Sequence, residues 1–226
     1  MAGLIQTWAN RTEEEDAMTR EHAWIWRAMI RAALPPGGLS GRRVLDIGCN
    51  QGGFLRLLHD SEGYREAVGI DLAQQAVALA ESLKGTRPVR YLAATRLAEA
   101  GSGFDIAFSH EVIYLIEDLV DHARQVFDVL RPGAAYHPVT VCHSDNPLWS
   151  VWHPRLQAVS NLPVPSHSLG DIAEAFRTAG FEVEASRFLA DAFIPLEPAN
   201  DYFPTDQDRL DLYARWKIMF RCTRPG

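Results

Sequence analysis

Residues 44–54 carry the pattern with the clearest chemical meaning, and they read VLDIGCNQGGF. An apolar run that passes directly into glycines predicts a buried strand, a tight turn and a helix start, where backbone can lie close to a ligand. Asp46 precedes the glycines, at a place where a carboxylate repels a phosphate but attracts a cationic group. Asp71 ends the next apolar run, 19 residues after Gly52, where a carboxylate can bind two ribose hydroxyls. The two acids predict a site for a nucleoside that carries an amino acid rather than a pyrophosphate.

Each part of this pattern also has a simpler interpretation. A glycine-rich turn is shared by Rossmann-type domains that bind dinucleotides, which leaves a nicotinamide oxidoreductase as an alternative. Asp46 disfavours that alternative because it would repel the pyrophosphate. Taken alone, Asp46 is compatible with a residue that caps the turn, and Asp71 with a solvated N-cap of the helix that follows.

Strand-like and helical patterns alternate along the rest of the chain. Thr12 to Glu15 has the form of a capping box, and apolar residues then recur at helical spacing until the prolines that follow Leu34. Pro138 lies inside the fifth predicted strand, where it cannot donate a ladder hydrogen bond, so a bulge is expected there. The predicted strands cover residues 43–47, 67–71, 89–93, 104–108, 134–142, 181–189 and 214–222, and the helices after the first cover 73–84, 119–130 and 168–180.

This alternation predicts an α/β fold, namely a doubly wound, seven-stranded, mostly parallel Rossmann-like sheet with one antiparallel strand near the C-terminus. A single domain is expected over residues 1–226, with residues 1–38 as an N-terminal helical cap and 42–142 as the ligand-binding core. Residues 143–167 and 191–213 do not fit the alternation and are predicted to be loops. Because long loops in a compact domain are commonly functional, we expect both to cover the crevice as substrate or lid loops.

Composition narrows the class of protein. The chain has 226 residues, of which 47% are hydrophobic and 23% charged, so it can bury a substantial core. Its net charge is −7, and only two of its 22 basic residues are lysine, which disfavours a nucleic-acid partner. Three widely separated cysteines, an acidic N-terminal segment and the lack of a long apolar run predict a cytoplasmic protein without a membrane partner, present as a monomer or homodimer.

Four segments in order resemble the class I S-adenosylmethionine-dependent methyltransferases, in particular the branch that acts on small molecules. The resemblance covers about residues 42–142. VLDIGCNQGGF is similar to the first motif of that family, and VGIDL to the second. FDIAFSHEVIYLIED resembles the fourth strand and its loop, and VLRPGAAY the entry to the fifth strand. Four motifs in this order imply the fold and the cofactor S-adenosylmethionine, with S-adenosylhomocysteine as product.

The resemblance also implies a role for individual positions. The turn would wrap the methionine part of the cofactor, with one acid near its ammonium group and the other on its ribose. The implied cofactor-binding residues are Asp46, Gly48, Cys49, Asn50 and Gly52 for the methionine part, Asp71 for the ribose, Leu72, Ala94 and Thr95 for the adenine, and Ser109 and His110 on the sulfonium side. Asn50 replaces the usual glycine, and the carboxylate often found after the third strand is absent, since residues 93–96 read AATR.

Transfer to an oxygen or a protonated amine needs a base, and histidine suits that role near neutral pH. His143 is the first choice, because the end of the fifth strand faces the methyl group in this family, and His110 is the second. His167 is a further histidine near the predicted crevice. Aromatic side chains that suit a flat acceptor lie in the same regions, whereas Trp26 is expected in the core. The predicted substrate-binding residues are Trp24, Tyr114, Trp149, Trp152 and His153.

A metal-dependent mechanism is an alternative. Residues 145–149, DNPLW, are similar to the Asp-Asn-x-Leu-Trp of catechol-type O-methyltransferases, in which the first two residues bind magnesium. His110 would then replace an aspartate ligand, which suits a softer ion better than magnesium. We therefore predict an enzyme without a metal that methylates an oxygen or nitrogen of a small molecule, such as an aromatic compound or a secondary metabolite. A macromolecular methyltransferase and a non-catalytic cofactor-binding module are also compatible with the sequence.

Overall fold

The computed structural model describes residues 12–188, 193–194, 196, 198–200 and 202–226, with the side chains of 12–21 left aside. The helices are α1 (Thr12–Ala33), α2 (Gly53–Glu62), α3 (Gln74–Leu83), α4 (Leu119–Val129), α5 (Trp149–Val159), α6 (Leu169–Thr178) and α7 (Asp206–Asp211). The strands are β1 (Arg43–Ile47), β2 (Glu66–Asp71), β3 (Val89–Ala93), β4 (Phe104–His110), β5 (Leu130–Thr140), β6 (Glu182–Arg187) and β7 (Ile218–Thr223). The capping box predicted at Thr12 involves side chains outside the described part of the chain.

The seven strands form one sheet in the order β3-β2-β1-β4-β5-β7-β6. β7 runs antiparallel to both of its neighbours, and the remaining pairs are parallel. The predicted fold class is therefore confirmed. The chain order reverses between β1 and β4, and in an open sheet of this kind ligands bind at the carboxyl ends of the strands beside such a reversal.

Helices cover both faces of the sheet, which is why the central strands read as nearly continuous apolar runs. On one face α4 and α6 pack against Leu45 and Phe104, and on the other face α1, α2 and α3 pack against Val44 and Ile106. Among the helices of the described ranges, none combines the length and the apolar character that crossing a bilayer requires.

The predicted bulge at Pro138 is wrong. β5 pairs one for one with β4 from Ala135 to Val139, and its pairing with β7 keeps the same register on both sides of the proline. The irregularity lies earlier, because the pairs Phe104–Leu130 and Ile106–Ala135 enclose one residue of β4 but four of β5. The Arg-Pro-Gly turn that was predicted to end a helix is therefore an insertion inside the first part of β5.

The two predicted loops contain helices. In residues 143–167, α5 places Trp149, Trp152 and Leu156 at helical spacing, although Pro154 lies inside it and disguised the pattern. In residues 191–213, α7 begins after Thr205, whose hydroxyl accepts a hydrogen bond from the Asp208 amide. The expectation of irregular loops is thus wrong over these stretches, while residues 189–192, 195, 197 and 201 of the second segment lie outside the described residues.

The turn after β1 depends on Gly48. The amides of Gly48 and Cys49 both donate to the carbonyl of Ile70 at the end of β2, at 2.8 and 3.1 Å. Gly48 has φ 74°, and a Cβ atom there would lie 2.3 Å from Cγ2 of Val112 in the segment after β4. Only glycine therefore permits both the backbone conformation and the close approach of the two segments.

Replacing Gly48 by alanine should cost more stability than the backbone conformation alone explains. Gly133, with φ 76° and nothing within 4 Å of its added Cβ, is the matched control for strain without overlap. We expect Gly133→Ala to lower the free energy of unfolding by about 1 kcal/mol and Gly48→Ala by roughly 2 kcal/mol more. Urea unfolding measures both. Equal losses in the two variants would show that contact with Val112 does not constrain the turn.

Candidate functional site

A cavity of about 730 Å³ lies at the carboxyl ends of the parallel strands. Its walls come from the turn after β1, the ends of β2 and β3, the segment from the end of β4 into α4, helix α1, and the region that follows α5. Ten of the predicted site residues line it: Asp46, Gly48, Cys49, Asn50, Asp71, Leu72, Ala94, Thr95, His110 and Tyr114.

Asp71 links the two turns that follow β1 and β2. Its Oδ2 accepts a hydrogen bond from the Asn50 amide at 2.8 Å, and its Oδ1 accepts one from the Ala73 amide at 2.9 Å. Burial raises the pKa of Asp71, and these backbone donors oppose the shift. Since a carboxylate oxygen has more than one lone pair, both oxygens can still accept from a ligand.

Asp46 and Asn50 present buried polar groups beside the turn after β1. Burial, with a smaller contribution from the Asp71 carboxylate, raises the pKa of Asp46 to about 8. The Oδ1 atom of Asn50 is buried and has no hydrogen-bond partner within the described ranges. Asn50 also has φ 45°, a left-handed conformation that asparagine tolerates better than most residues. A ligand with a cationic donor, such as the ammonium group of an amino acid, fits these two side chains.

The cavity wall is acidic. Six carboxylates line it, and the described residues of the lining include no lysine or arginine. Such a wall favours a ligand that carries positive charge, because field lines focus in a concave site of low dielectric constant. The six are Asp46, Asp71, Glu111, Glu117, Asp118 and Asp121.

Two residues of the predicted cofactor set do not line the cavity. The carbonyl of Gly52 accepts a hydrogen bond from the Tyr91 hydroxyl at 3.0 Å, and a Cβ at Gly52 would overlap the Tyr91 ring. Ser109 is buried with its hydroxyl 2.6 Å from that of Tyr136, because strand alternation turns it away from the face that His110 presents. Both residues therefore contact side chains that support the cavity, and neither lines it.

His110 lies between groups from distant parts of the chain. Its Nδ1 accepts a hydrogen bond from the Trp26 indole at 3.2 Å, and its Nε2 lies 3.3 Å from the Lys217 ammonium. Lys217 is 3% exposed and also contacts the Glu111 carboxylate. That carboxylate accepts further hydrogen bonds from the Thr140 hydroxyl and the amide that follows it. Burial first, then the charge of Lys217, lowers the pKa of His110 well below its usual range, so its ring is neutral at pH 7.

His143, the first choice for a base, is not among the residues that line the cavity. Its ring is fully buried, with Nε2 2.8 Å from the Trp216 carbonyl and Nδ1 3.8 Å from the Asp145 carboxylate. Burial lowers its pKa. This position ties the end of β5 to the chain before β7 and gives no support to a catalytic role.

The aromatic residues predicted to bind substrate separate into two groups. Tyr114 lines the cavity, whereas Trp24 packs edge-on against Tyr213, with ring centroids 4.7 Å apart. In the region of α5, the indoles of Trp149 and Trp152 donate to the Ser166 hydroxyl and the Tyr202 carbonyl, both at 2.7 Å.

His153 stacks on the Trp149 ring, with its Nε2 2.7 Å from the Val164 carbonyl. Trp149 and Trp152 belong to a small hydrophobic cluster that is separate from the two clusters on the faces of the sheet. The residues from α5 onward that line the cavity are instead Leu156, Val159, Leu162, Pro163 and Tyr202.

The structure adds residues that sequence analysis missed. Trp26, expected in the core, and His22 one turn before it both line the cavity from α1. Their spacing of four residues predicts that they share one face of the helix, but it does not predict which part of the protein that face contacts. Glu111 lies within the loop motif after β4, and Lys217 is one of only two lysines, set in an apolar stretch. That unusual context was the one signal that could have identified Lys217.

Asp145 and Asn146 are engaged in local structure. The Asn146 amide group donates to the Val141 carbonyl and accepts from the Leu148 amide, both at 3.0 Å. Asp145 accepts from the Leu169 amide at 2.7 Å. Over the described residues, no group of three or more His, Cys, Asp or Glu side chains is arranged to hold a metal ion. This segment therefore does not fit the catechol-type magnesium site.

The sequence of this chain is similar to those of known methyltransferases. The family model described as "Methyltransferase domain" matches residues 18–186. The ubiquinone biosynthesis O-methyltransferase of Ruegeria pomeroyi is 36% identical over 122 residues, which cover 52% of this chain and 47% of that protein. The tRNA U34 carboxymethyltransferase of Shewanella halifaxensis is 32% identical over 116 residues, 49% of this chain and 34% of that protein. The matched region thus spans half or less of the length of these relatives.

Solved structures share the fold at lower sequence identity. A chain from the complex between the Haloferax volcanii Trm112 methyltransferase activator and a methyltransferase aligns with a TM-score of 0.81 at 21% identity, covering 95% of both chains. An S-adenosylmethionine-dependent methyltransferase from Mesorhizobium loti aligns with a TM-score of 0.65 at 22% identity, covering 90% of this chain and 99% of that one.

The raised pKa of Asp46 makes stability depend on pH. Because the pKa rises from 3.8 in the unfolded chain to about 8 in the folded protein, the folded protein holds the extra proton across that window. Stability therefore falls as pH rises from about 4 to about 8. In the absence of ligand, we expect the stability of Asp46→Asn relative to that of the wild type to rise by about 1 kcal/mol per pH unit between pH 5 and pH 8.

Urea unfolding at both pH values measures this difference. Asp60→Asn is the control, because a hydrogen bond from Arg87 lowers the pKa of that exposed carboxyl and no such gain should follow. A constant difference between Asp46→Asn and the wild type would contradict the shift.

The buried contact between Lys217 and Glu111 should contribute more to stability than an exposed pair does. Lys217→Met leaves the Glu111 carboxylate without its cation and should lower the free energy of unfolding by about 3–5 kcal/mol. Adding Glu111→Gln to this variant should restore most of the lost stability. Lys84→Met, which breaks the half-exposed pair of the other lysine with Glu81, should cost less than about 1 kcal/mol. Urea unfolding of the four proteins tests this, and equal losses in the two single lysine variants would contradict it.

Proposed function

Because the chain belongs to the methyltransferase-domain family, we propose that it transfers a methyl group from S-adenosylmethionine to an oxygen or nitrogen of a small molecule. The observation that carries this proposal is the division of the cavity into two halves. The half at the ends of β1 and β2 presents the carboxyl groups of Asp46 and Asp71 and the unpartnered Oδ1 atom of Asn50. The half between α1, the end of β4 and the region around α5 presents rings, apolar side chains and neutral histidines, together with Glu111, which contacts Lys217. Three further carboxylates, Glu117, Asp118 and Asp121, line the cavity from the segment that leads into α4.

The acidic half suits the methyl donor. Asp46 and the Asn50 side chain would hold the ammonium group of the methionine part, and Asp71 would hold the ribose hydroxyls. Leu72, Ala94 and Thr95, which line the same wall, would contact the adenine. When bound, S-adenosylmethionine supplies a methyl group on a cationic sulfur. The residues of this chain align the acceptor with that methyl group and exclude water, which is the main work in a direct displacement.

The other half suits a flat, largely apolar acceptor. Trp26, Tyr114 and Tyr202 contribute rings, and Leu156 and Leu162 contribute aliphatic side chains. Helix α1 and the lid enclose this half from two sides, so an acceptor must fit within a cavity of about 730 Å³. A small molecule meets that limit more readily than a folded macromolecule does.

A nucleic-acid acceptor is the second candidate, because one relative is named as a tRNA-modifying enzyme. The charge of this chain argues against it. The net charge is −7, the cavity wall is acidic, and the chain has only two lysines, of which Lys217 is buried. Binding to a phosphate backbone normally needs a basic surface.

Ligand binding tests the first part of this proposal. At about a hundred times its dissociation constant, S-adenosylhomocysteine should add roughly 2.7 kcal/mol and raise the unfolding midpoint by about 5–10 °C, while NAD at the same concentration should not. Asp71→Ala should remove most of the shift, because the ribose contacts are lost, and Asp60→Ala on the exposed end of α2 should keep it. A shift with NAD alone would overturn the proposal.

Acceptor class is then tested by measuring S-adenosylhomocysteine formation with phenols, carboxylic acids, amines and unmodified tRNA. We expect turnover with a phenol or an amine and none with tRNA. Turnover with tRNA alone would replace the small-molecule proposal by the second candidate. Tight binding of the cofactor product without turnover of any acceptor would favour a non-catalytic module.

A further inference from the structure

The proposed reaction leaves one proton to be placed. An acceptor hydroxyl must lose it as the methyl group arrives, and a base at the acceptor end of the cavity must take it. His110 is poorly available, because Trp26 and Lys217 already contact its two nitrogens. Both oxygens of Glu111 accept hydrogen bonds from the protein. Burial raises the pKa of Tyr114 well above its usual range, so that residue is a neutral phenol and a poor base.

His22 is the titratable group that the described part of α1 contributes to the cavity lining. It lines the cavity from α1, where its ring meets the His110 ring edge-on with centroids 4.8 Å apart at 86°. It also lies edge-on to Trp26, one helical turn away, at 6.1 Å. Within the part of the chain whose side chains are described, no hydrogen bond engages the His22 ring nitrogens. The ring is partly buried and stands on the helix that covers the cavity.

The charge state of His22 at neutral pH suits a proton acceptor. Burial first, and then the Lys217 ammonium, lowers the pKa of His22 to about 4, and the Glu111 carboxylate opposes the shift. The groups that face it are His110, Lys217 and Glu111. Its ring is therefore neutral at pH 7 with one lone pair available. A methylated oxygen that still carries its proton is a far stronger acid than an imidazolium, so a weakly basic histidine suffices.

We propose that His22 is the catalytic base that removes the acceptor's proton, an inference that rests on the proposed function. In this step a lone pair of a hydroxyl oxygen of the acceptor forms the new bond to the methyl carbon as the carbon–sulfur bond breaks. The sulfonium becomes a neutral thioether, and the electrons of the O–H bond remain on that oxygen. The proton passes to a ring nitrogen of His22. One positive charge thus leaves sulfur and appears on the imidazole near Glu111, and water then removes the proton.

Two acceptors of different acidity test this role. Phenol needs a base at pH 8, whereas 4-nitrophenol is largely ionised in water at that pH and does not. With S-adenosylmethionine as donor, His22→Gln should lower kcat/KM for phenol by about 10²-fold and for 4-nitrophenol by only a few fold. His59→Gln on α2, outside the cavity lining, should match the wild type with both acceptors. Calorimetry should give the same affinity for S-adenosylhomocysteine in all three proteins.

A binding readout accompanies the kinetics. With ¹³C-labelled histidine, phenol added to the S-adenosylhomocysteine complex should shift one ring signal that is missing in His22→Gln. Equal losses of kcat/KM with the two acceptors would indicate a structural role and overturn the inference, as would wild-type rates in His22→Gln or no shifted signal. A wild type that binds S-adenosylhomocysteine but turns over no acceptor would instead overturn the proposed function, and the inference with it.

Discussion

The free energy needed to bury charge governs how this site is built. Around the ends of β1 and β2 the structure buries two carboxylates with no cationic side chain among the described lining residues, and the pKa of Asp46 rises to about 8 as a result. Backbone amides partly compensate Asp71, but Asp46 gains no comparable partner. Such a wall is stable only because it is part of a larger fold, and a cationic ligand would stabilise it.

At the opposite end of the cavity, a partly buried carboxylate is paired with a cation of the protein itself. Glu111 has φ 54° and turns its carboxylate toward Lys217, so the charges there are balanced within the protein. Burial and the Lys217 ammonium keep the neighbouring histidines neutral, which leaves the surface suited to rings and aliphatic groups. One cavity thereby contains a region that favours a cation next to a region that favours an uncharged, apolar molecule. That contrast is what a reaction between a charged donor and a neutral acceptor requires.

Most of the proposed cofactor side could be predicted from the sequence, because it is local. An apolar strand, a glycine turn and an acid at the end of the next strand lie within 30 residues, and the mostly parallel sheet follows from the alternation of strands with helices. The proposed acceptor side could not be predicted in the same way, since it combines α1, the end of β4, the region around α5 and the residue before β7. His143 illustrates the difficulty: the fifth strand was predicted with its end two residues too late, and the ring turns toward the Trp216 carbonyl, a contact that no local pattern encodes. Similarly, Pro154 disguised α5, so the indoles that build the small core of the lid were mistaken for cavity residues. The division of the chain into cap, core and lids stays a prediction.

The position of β7 has a consequence for how the protein is made. β7 follows β6 in the chain but lies between β5 and β6 in the sheet, so β6 has no described strand neighbour other than β7. Lys217 immediately precedes β7, and the pairing of Ile218 with Thr140 brings it beside Glu111. On a ribosome the cofactor side can therefore form while later residues are still being added, as domains generally fold from their N-terminal end. The proposed acceptor side cannot form until residues 217–223 have left the exit tunnel, so it is completed after the proposed cofactor side.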